Sequence, residues 1–402
     1  MHEVEARPLR IGLLTHSVNP RGGVVHTLEL AQALHDAGHE VTVMAPAAPG
    51  QRFFRPVRCD THLVPVQAAP RDMVEMVASR IAAFRASIGE LLQRECFDVW
   101  HAQDPIGANA LADLRAAGLI DGFVRTVHHL EVFEAAQLMQ WQSRGFLRAR
   151  QVFCVSRLWQ TRLRAGHGIE AAEVANGIDG ERFSPVPTAG DAALAQRLGL
   201  LAGAPIVLAL GGVEARKNTL RLLEAFLQLR RDLPTAQLVI AGGASLLDHA
   251  QYHRAFAALA QAGGLPVGAG QPIVLAGPLP DADIPSLYRL ADVVAMPSLN
   301  EGFGLVVLEA LASGVPVVVS RIAPFTEYLQ TDELQWADPL DACAIASALR
   351  VAIEQREPER IAASAARLGA RFSWPASAAR HVQLYREGLR DAATRADSLA
   401  TF

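Results

Sequence analysis

Short β-branched and apolar runs alternate along this chain with longer segments whose apolar residues recur every three or four positions. That alternation predicts parallel strands joined by helices, so that each sheet is covered on both faces. In the first half the runs fall at residues 10–15 (RIGLLT), 40–45 (EVTVMA), 61–66, 98–102 (DVWHA), 123–128 (FVRTVH) and 151–155 (QVFCV). Residues 176–191 (NGIDGERFSPVPTAGD) break the rhythm with glycines, prolines and no sustained period, as a hinge between domains would. The rhythm restarts at 205–210 (PIVLAL), 236–241 (AQLVIA), 272–276 (PIVLA), 292–296 (DVVAM) and 315–320 (VPVVVS). Beyond residue 340 the pattern is helical, ending in one long helix over FSWPASAARHVQLYREGLRDAA.

The expected fold class is therefore α/β, with two Rossmann-like, doubly wound parallel sheets in series. Ligands in such folds collect outside the carboxyl ends of the strands, which makes a cleft between the two domains the expected site. A length of 402 residues agrees with two domains, since single cores rarely grow that large.

Charge and cysteines narrow the function classes. With 37 basic and 41 acidic residues the chain carries net −4, and no run of five like charges occurs. A nucleic-acid-binding arm is not expected, so any bound anion must be held locally. Cys59, Cys96, Cys154 and Cys343 match neither a zinc spacing nor a small disulfide framework, which points to reduced thiols and a cytoplasmic location. No signal peptide and no run of about 18 apolar residues is found. Residues 71–94 carry an apolar stripe at Met73, Val77, Ile81, Phe84, Ile88 and Leu91, with Arg71, Arg80, Arg85 and Arg94 outside it. A helix packed on the sheet is expected there in preference to a membrane-surface helix.

Two segments bring chemistry. In NEGFGLVVLEALASGVPVVVS, residues 300–320, glycines 302 and 304 let a ligand approach the backbone where a helix begins, a natural seat for phosphate. Glu309 lies in the apolar run that follows, where an unpartnered carboxylate costs several kcal/mol. Either a protein group, an Arg or a backbone amide, must partner it, or a ligand must. Glu301 at the loop mouth makes a pair of acceptors suited to sugar and ribose hydroxyls. In LGGVEARKNTLRLLEAF, residues 210–226, Arg216 and Lys217 put two positive charges beside a helix N-terminus capped by Asn218, an arrangement that an anion would relieve.

These motifs resemble the donor-site signature of the retaining glycosyltransferases of family four, which have the GT-B fold. The paired glutamates in EGFGLVVLEALASGVPVV carry the likeness, and PRGGVVHTLELAQALHDAGHEVTV, FDVWHAQD, TVHHLE, NGIDGERFSP and GPLPDADIPSLYRLADVVAMPS follow in the family's order. The resemblance implies that Glu309 binds the ribose of a nucleotide diphosphate sugar. It implies that Glu301, with the backbone of Gly302, Phe303 and Gly304, holds the donor sugar, and that Lys217 holds the diphosphate. Many members place an arginine five residues before that lysine. Gly212 stands there in this chain, and whether Arg216 takes over its role stays open.

In the first domain, Gly22 and Gly23 open a helix and either face the leaving phosphate or reflect a tight turn. His128 matches the family's cleft histidine, with His129 as the competing assignment and His101 and His16 as further candidates. Asp281 and Asp283 have the Asp-x-Asp spacing of some metal sites, but before the helix IPSLYRL they read as capping aspartates, so no metal and no cofactor are expected.

The resemblance thus implies a two-domain enzyme with its donor-binding domain at 176–373. An acceptor-binding domain spans 1–175, with the C-terminal helix, about 374–402, crossing back to it. A hexose would pass with retention to a small-molecule, glycan or lipid-linked acceptor; a lipid-linked one would bring the 71–94 helix into contact with a membrane. The alternatives are a nucleotide-sugar epimerase or phosphorylase on the same fold and a catalytically silent nucleotide-sugar-binding protein.

Overall fold

Every strand pairing in both sheets is parallel. The computed structural model describes residues 7–67, 72–243 and 249–400, with side chains to residue 394; Arg71 lies outside the described residues. The first sheet is built from β1 (Arg10–Leu14), β2 (Glu40–Ala47), β3 (Asp60–Pro65), β4 (Val99–Ala102), β5 (Val124–Val127), β6 (Gln151–Cys154) and β7 (Ala172–Glu173), in the order β3-β2-β1-β4-β5-β6-β7. The second contains β8 (Ile206–Leu210), β9 (Gln237–Ala241), β10 (Ile273–Gly277), β11 (Val293–Met296), β12 (Val317–Ser320) and β13 (Gln335–Ala337), in the order β10-β9-β8-β11-β12-β13. Each order reverses once, between β1 and β4 and between β8 and β11. Those two switch points are where loops diverge and leave room for a ligand.

The chain divides into two compact units, Met1–Gly177 with Phe372–Phe402, and Ile178–Arg371. These are two Rossmann-like α/β domains. Strands buried on both faces need apolar residues at successive positions, and β8 (IVLAL) and β12 (VVVS) have them. Two short strands were not foreseen. β7 has two residues and β13 three, too few for either a period or an apolar run to show.

In the first unit Trp100 of β4 packs across Gly12 of β1, where an added Cβ would sit 2.9 Å from its ring. The helix Met73–Leu91 starts at Asp72, whose side chain accepts from the Glu75 N–H. It buries Met76, Val77, Ile81, Phe84 and Ile88 in a core shared with the helix Pro105–Ala116. The expected stripe thus faces the protein interior. The long helix Trp374–Ala400 returns to this unit and lies on the helix Gly22–Asp36. Its Ser377 hydroxyl donates to the Ala175 carbonyl at 2.7 Å, and the Gln151 amide donates to the Leu384 carbonyl at 3.0 Å. Among the described residues, no helix is long and apolar enough to cross a membrane.

Candidate active site

In the second unit, β8 runs into Gly211 and Gly212, both with positive φ (114° and 78°). At Gly211 the backbone favours glycine, and a side chain would also displace Lys217. The left-handed backbone disfavours a side chain, and a Cβ would lie 2.7 Å from Cε of Lys217, which crosses the turn there. Lys217 and Arg216 end this loop just before the helix Thr219–Asp232.

Asn218 occupies the N-cap position but does not cap, contrary to the sequence expectation. Its own φ is 59°, and its side-chain amide instead donates to the Pro297 carbonyl (3.0 Å) and the Pro339 carbonyl (2.7 Å). The left-handed conformation, which Asn tolerates, turns that side chain away from the helix. In doing so it ties the β8 loop to the loop after β11.

That second loop delivers Glu301. Its Oε1 accepts from Lys217 Nζ at 2.7 Å and from the Ser298 hydroxyl at 2.9 Å, and lies 3.3 Å from Arg216 Nη1. Only 6% of Glu301 is exposed. Burial alone would raise its pKa, but Lys217, Arg216 and Ser298 outweigh it and hold the carboxyl down to about 2. The anion that two cations at a helix start require is therefore supplied within the protein. Arg216 also donates to the Asn300 carbonyl at 3.3 Å, and its own carbonyl accepts from the Leu299 N–H at 2.9 Å.

Gly302, Phe303 and Gly304 complete the loop before the helix Leu305–Ala312. The Phe303 ring is buried and stacks on Tyr328 with centroids 5.2 Å apart, and the Tyr328 hydroxyl donates to the Phe303 carbonyl at 2.8 Å. Gly304 has φ 98°, and a Cβ on it would meet Phe325 at 2.4 Å. The loop is thus packed firmly from beneath, and what it can offer a ligand is backbone.

Glu309, one turn into the helix, is half-buried, and its Oε2 accepts from the Tyr288 hydroxyl at 2.6 Å. Burial and the adjacent carboxylate hold the Tyr288 pKa well above the usual tyrosine range, so it stays a donor. Asp281 and Asp283 do not cap. Asp281 pairs with Arg182 at 2.8 Å and Asp283 with Arg197, because these arginines offer a stronger bond than exposed helix amides.

In the first unit, Gly22 and Gly23 open the helix Gly22–Asp36 without positive φ and without crowding. A Cβ on Gly22 would meet nothing within 4 Å, and one on Gly23 would lie 3.8 Å from the His128 ring. A tight turn does not explain them. His128 is half-buried at the end of β5, 3.0 Å from Gln103 Oε1 and edge-on to His26 at 4.6 Å. Burial and its charged neighbours hold its pKa well below the usual histidine range, so the ring is neutral. His129 is exposed and lies 3.0 Å from Glu131.

His101 is not a surface group at all. It is fully buried between the Tyr385 hydroxyl (2.6 Å) and the Thr126 hydroxyl (2.7 Å), linking the sheet to the C-terminal helix. His16 is half-buried, its pKa lowered by burial to about 4.

Two switch points thus bring together the residues singled out from the sequence: Arg216, Lys217, Glu301 and the 302–304 backbone in one unit, Gly23 and His128 in the other. Sequence reasoning missed Ser298, Tyr288, Tyr328 and Gln103. Ser298 carried a weak signal, as a small polar residue between a strand and a glycine loop. The others are ordinary in their local sequence and acquire meaning only through contacts with distant residues.

Comparison with known proteins agrees with this fold. Residues 20–182 match the family model Glycosyltransferase Family 4, and residues 192–368 match Glycosyl transferases group 1. A phosphatidyl-myo-inositol mannosyltransferase of Mycolicibacterium smegmatis is 30% identical over 94% of this chain and 93% of its own. The chain belongs to glycosyltransferase family four. A second relative of this family-four glycosyltransferase is the GDP-mannose-dependent alpha-(1-6)-phosphatidylinositol monomannoside mannosyltransferase of the same species, 31% identical over 77% of this chain and 80% of its own. Among solved structures, Anabaena Alr3699/HepE in complex with UDP-glucose shares the GT-B fold. Its TM-score is 0.73 at 19% identity, covering 95% of this chain and 100% of that one.

Proposed function

We propose that this glycosyltransferase transfers a hexose, with retention of anomeric configuration, from a nucleotide diphosphate sugar held by the second unit to an acceptor held by the first. One observation carries the reading: Lys217 and Arg216 converge on Glu301 beside the glycine-bounded start of the helix Leu305–Ala312. As the bond from sugar to diphosphate breaks, negative charge grows on the departing phosphate. Two fixed cations and the positive end of a helix start would stabilise it without reorganising. Glu301, held ionised, would accept from a sugar hydroxyl, and Glu309, steadied by Tyr288, would accept from a ribose.

Gly22 and Gly23 leave a helix start open to a phosphate, and neutral His128 beside them offers a polar contact to the sugar or acceptor. The reading assigns no metal ligand and no cofactor, and Asp281 and Asp283 are engaged by arginines. The names of the relatives favour mannose from GDP-mannose as the donor, and a polyol head group on a lipid as the acceptor. The free thiols of Cys59, Cys96, Cys154 and Cys343 suit a reducing cytoplasm.

The test is turnover with GDP-mannose and UDP-glucose over a panel of polyol, glycan and lipid-linked acceptors. The anomeric configuration of the product is read by NMR. Transfer with retention is expected; inversion, or donor isomerised without any acceptor, contradicts the reading.

A further inference from the structure

Glu214 stands where the proposed diphosphate clamp has no need of a second acid. It lies two residues before Arg216 in the same loop and is 7% exposed. Its Oε2 is 3.9 Å from Arg216 Nη2 and its Oε1 is 4.0 Å from His249 Nε2, separations too long for hydrogen bonds. Both are ion pairs at the long end of the range, so Glu214 holds Arg216 only loosely. What it does supply is charge. With Glu301 it sets two negative groups against the two positive ones, Arg216 and Lys217.

A transferase must let go of its nucleoside diphosphate in every cycle, and release often limits turnover. Binding substrate, transition state and product equally tightly gains nothing in rate. Glu301 has a partner at 2.7 Å and a proposed sugar contact, so its charge is accounted for. The charge of Glu214 acts on whatever Arg216 holds, and it repels phosphate.

We infer that Glu214 is an electrostatic brake on product retention: it weakens the grip of Arg216 and Lys217 on the nucleoside diphosphate so that the product leaves. This rests on the reading that a diphosphate binds at those two residues. It makes Glu214 a residue whose loss improves binding, an effect that damage to the fold does not produce.

The experiment measures, by calorimetry at fixed low salt, the affinity of GDP and UDP and of the parent nucleosides for the wild-type chain, Glu214→Gln, Glu214→Asp and Lys217→Ala. Glu214→Gln is expected to bind the diphosphate about tenfold more tightly, with nucleoside affinity unchanged, from removing one charge near a partly screened pair. Glu214→Asp keeps the charge and should stay near wild type. Product inhibition in the transfer assay should strengthen in Glu214→Gln to the same degree. If Lys217→Ala weakens diphosphate binding while Glu214→Gln leaves it unchanged or weaker, the brake is wrong and the clamp stands. If neither variant alters diphosphate binding, the clamp itself is misplaced and the inference falls with it.

Discussion

Lys217 Nζ and Glu301 Oε1 lie 2.7 Å apart although 84 positions separate them in the chain, and both side chains are nearly buried. Breaking a buried pair from one side leaves an uncompensated charge, which costs about 3–5 kcal/mol. Glu301→Gln is therefore expected to destabilise the second unit by about that much, lowered somewhat by Arg216 and Lys217 reaching water. Added nucleoside diphosphate should recover part of the loss in a thermal melt. An unchanged melting temperature would contradict the burial argument.

The Tyr288 hydroxyl fixes Glu309 at 2.6 Å. Tyr288→Phe removes that donor and leaves a carboxylate less well satisfied, at a cost of about 1–3 kcal/mol. Nucleoside diphosphate affinity is expected to fall several-fold in Tyr288→Phe and further in Glu309→Ala. Equal affinity in all three proteins, by calorimetry, would remove Glu309 from the ribose role.

Gly304 combines φ 98° with a neighbour, Phe325, 2.4 Å from where a Cβ would sit. Gly304→Ala must move the loop or the ring. About 2 kcal/mol or more of stability should be lost, together with most transferase activity. A variant as active and stable as the parent would show that the loop tolerates rearrangement and is not held by Tyr328 and Phe325 as described.

A buried group of histidines sets an acid limit. Burial lowers the pKa of His26 to about 3 and that of His381 to about 4, and holds His101 well below the usual range. All three rings line the junction of the C-terminal helix with the first sheet, 5.8 to 6.2 Å from one another in the His26–His381 and His101–His381 pairs. Their folded-state pKa values lie below the unfolded value near 6.5. The stability they permit is complete above that pH and is lost as pH falls from about 6.5 toward about 4. At pH 5 each such histidine should cost about 2 kcal/mol relative to pH 7. Melting temperatures taken from pH 7 to pH 5 should fall, and fall less in His381→Gln. A flat profile over that range would contradict the account.

Much of the architecture could be read in advance, for a physical reason. Strands covered on both faces, such as β8 and β12, must be apolar at successive positions, and this stands out against the three-to-four spacing of the helices between them. β7 and β13 escaped because two or three residues carry no pattern. The glutamates and the Arg216–Lys217 pair were visible as charges in unfavourable local settings. Their remedies, Ser298 for Glu301 and Tyr288 for Glu309, were hidden because they come from other segments of the fold. Asn218 shows the opposite case. Its residue type suits an N-cap, but a left-handed backbone sent its side chain to Pro297 and Pro339. His101 likewise lies near a strand's end, where a ligand-facing histidine would sit, yet Tyr385, from the C-terminal helix, covers it.

The most direct measurement is the affinity of Lys217→Ala for a nucleoside diphosphate and for its parent nucleoside. If Lys217 holds the phosphates as proposed, loss of its charge should weaken diphosphate binding at least about tenfold and leave the nucleoside unaffected. Diphosphate and nucleoside affinities that both stay at the wild-type values, or that fall by the same factor, would contradict the placement of the diphosphate at Lys217.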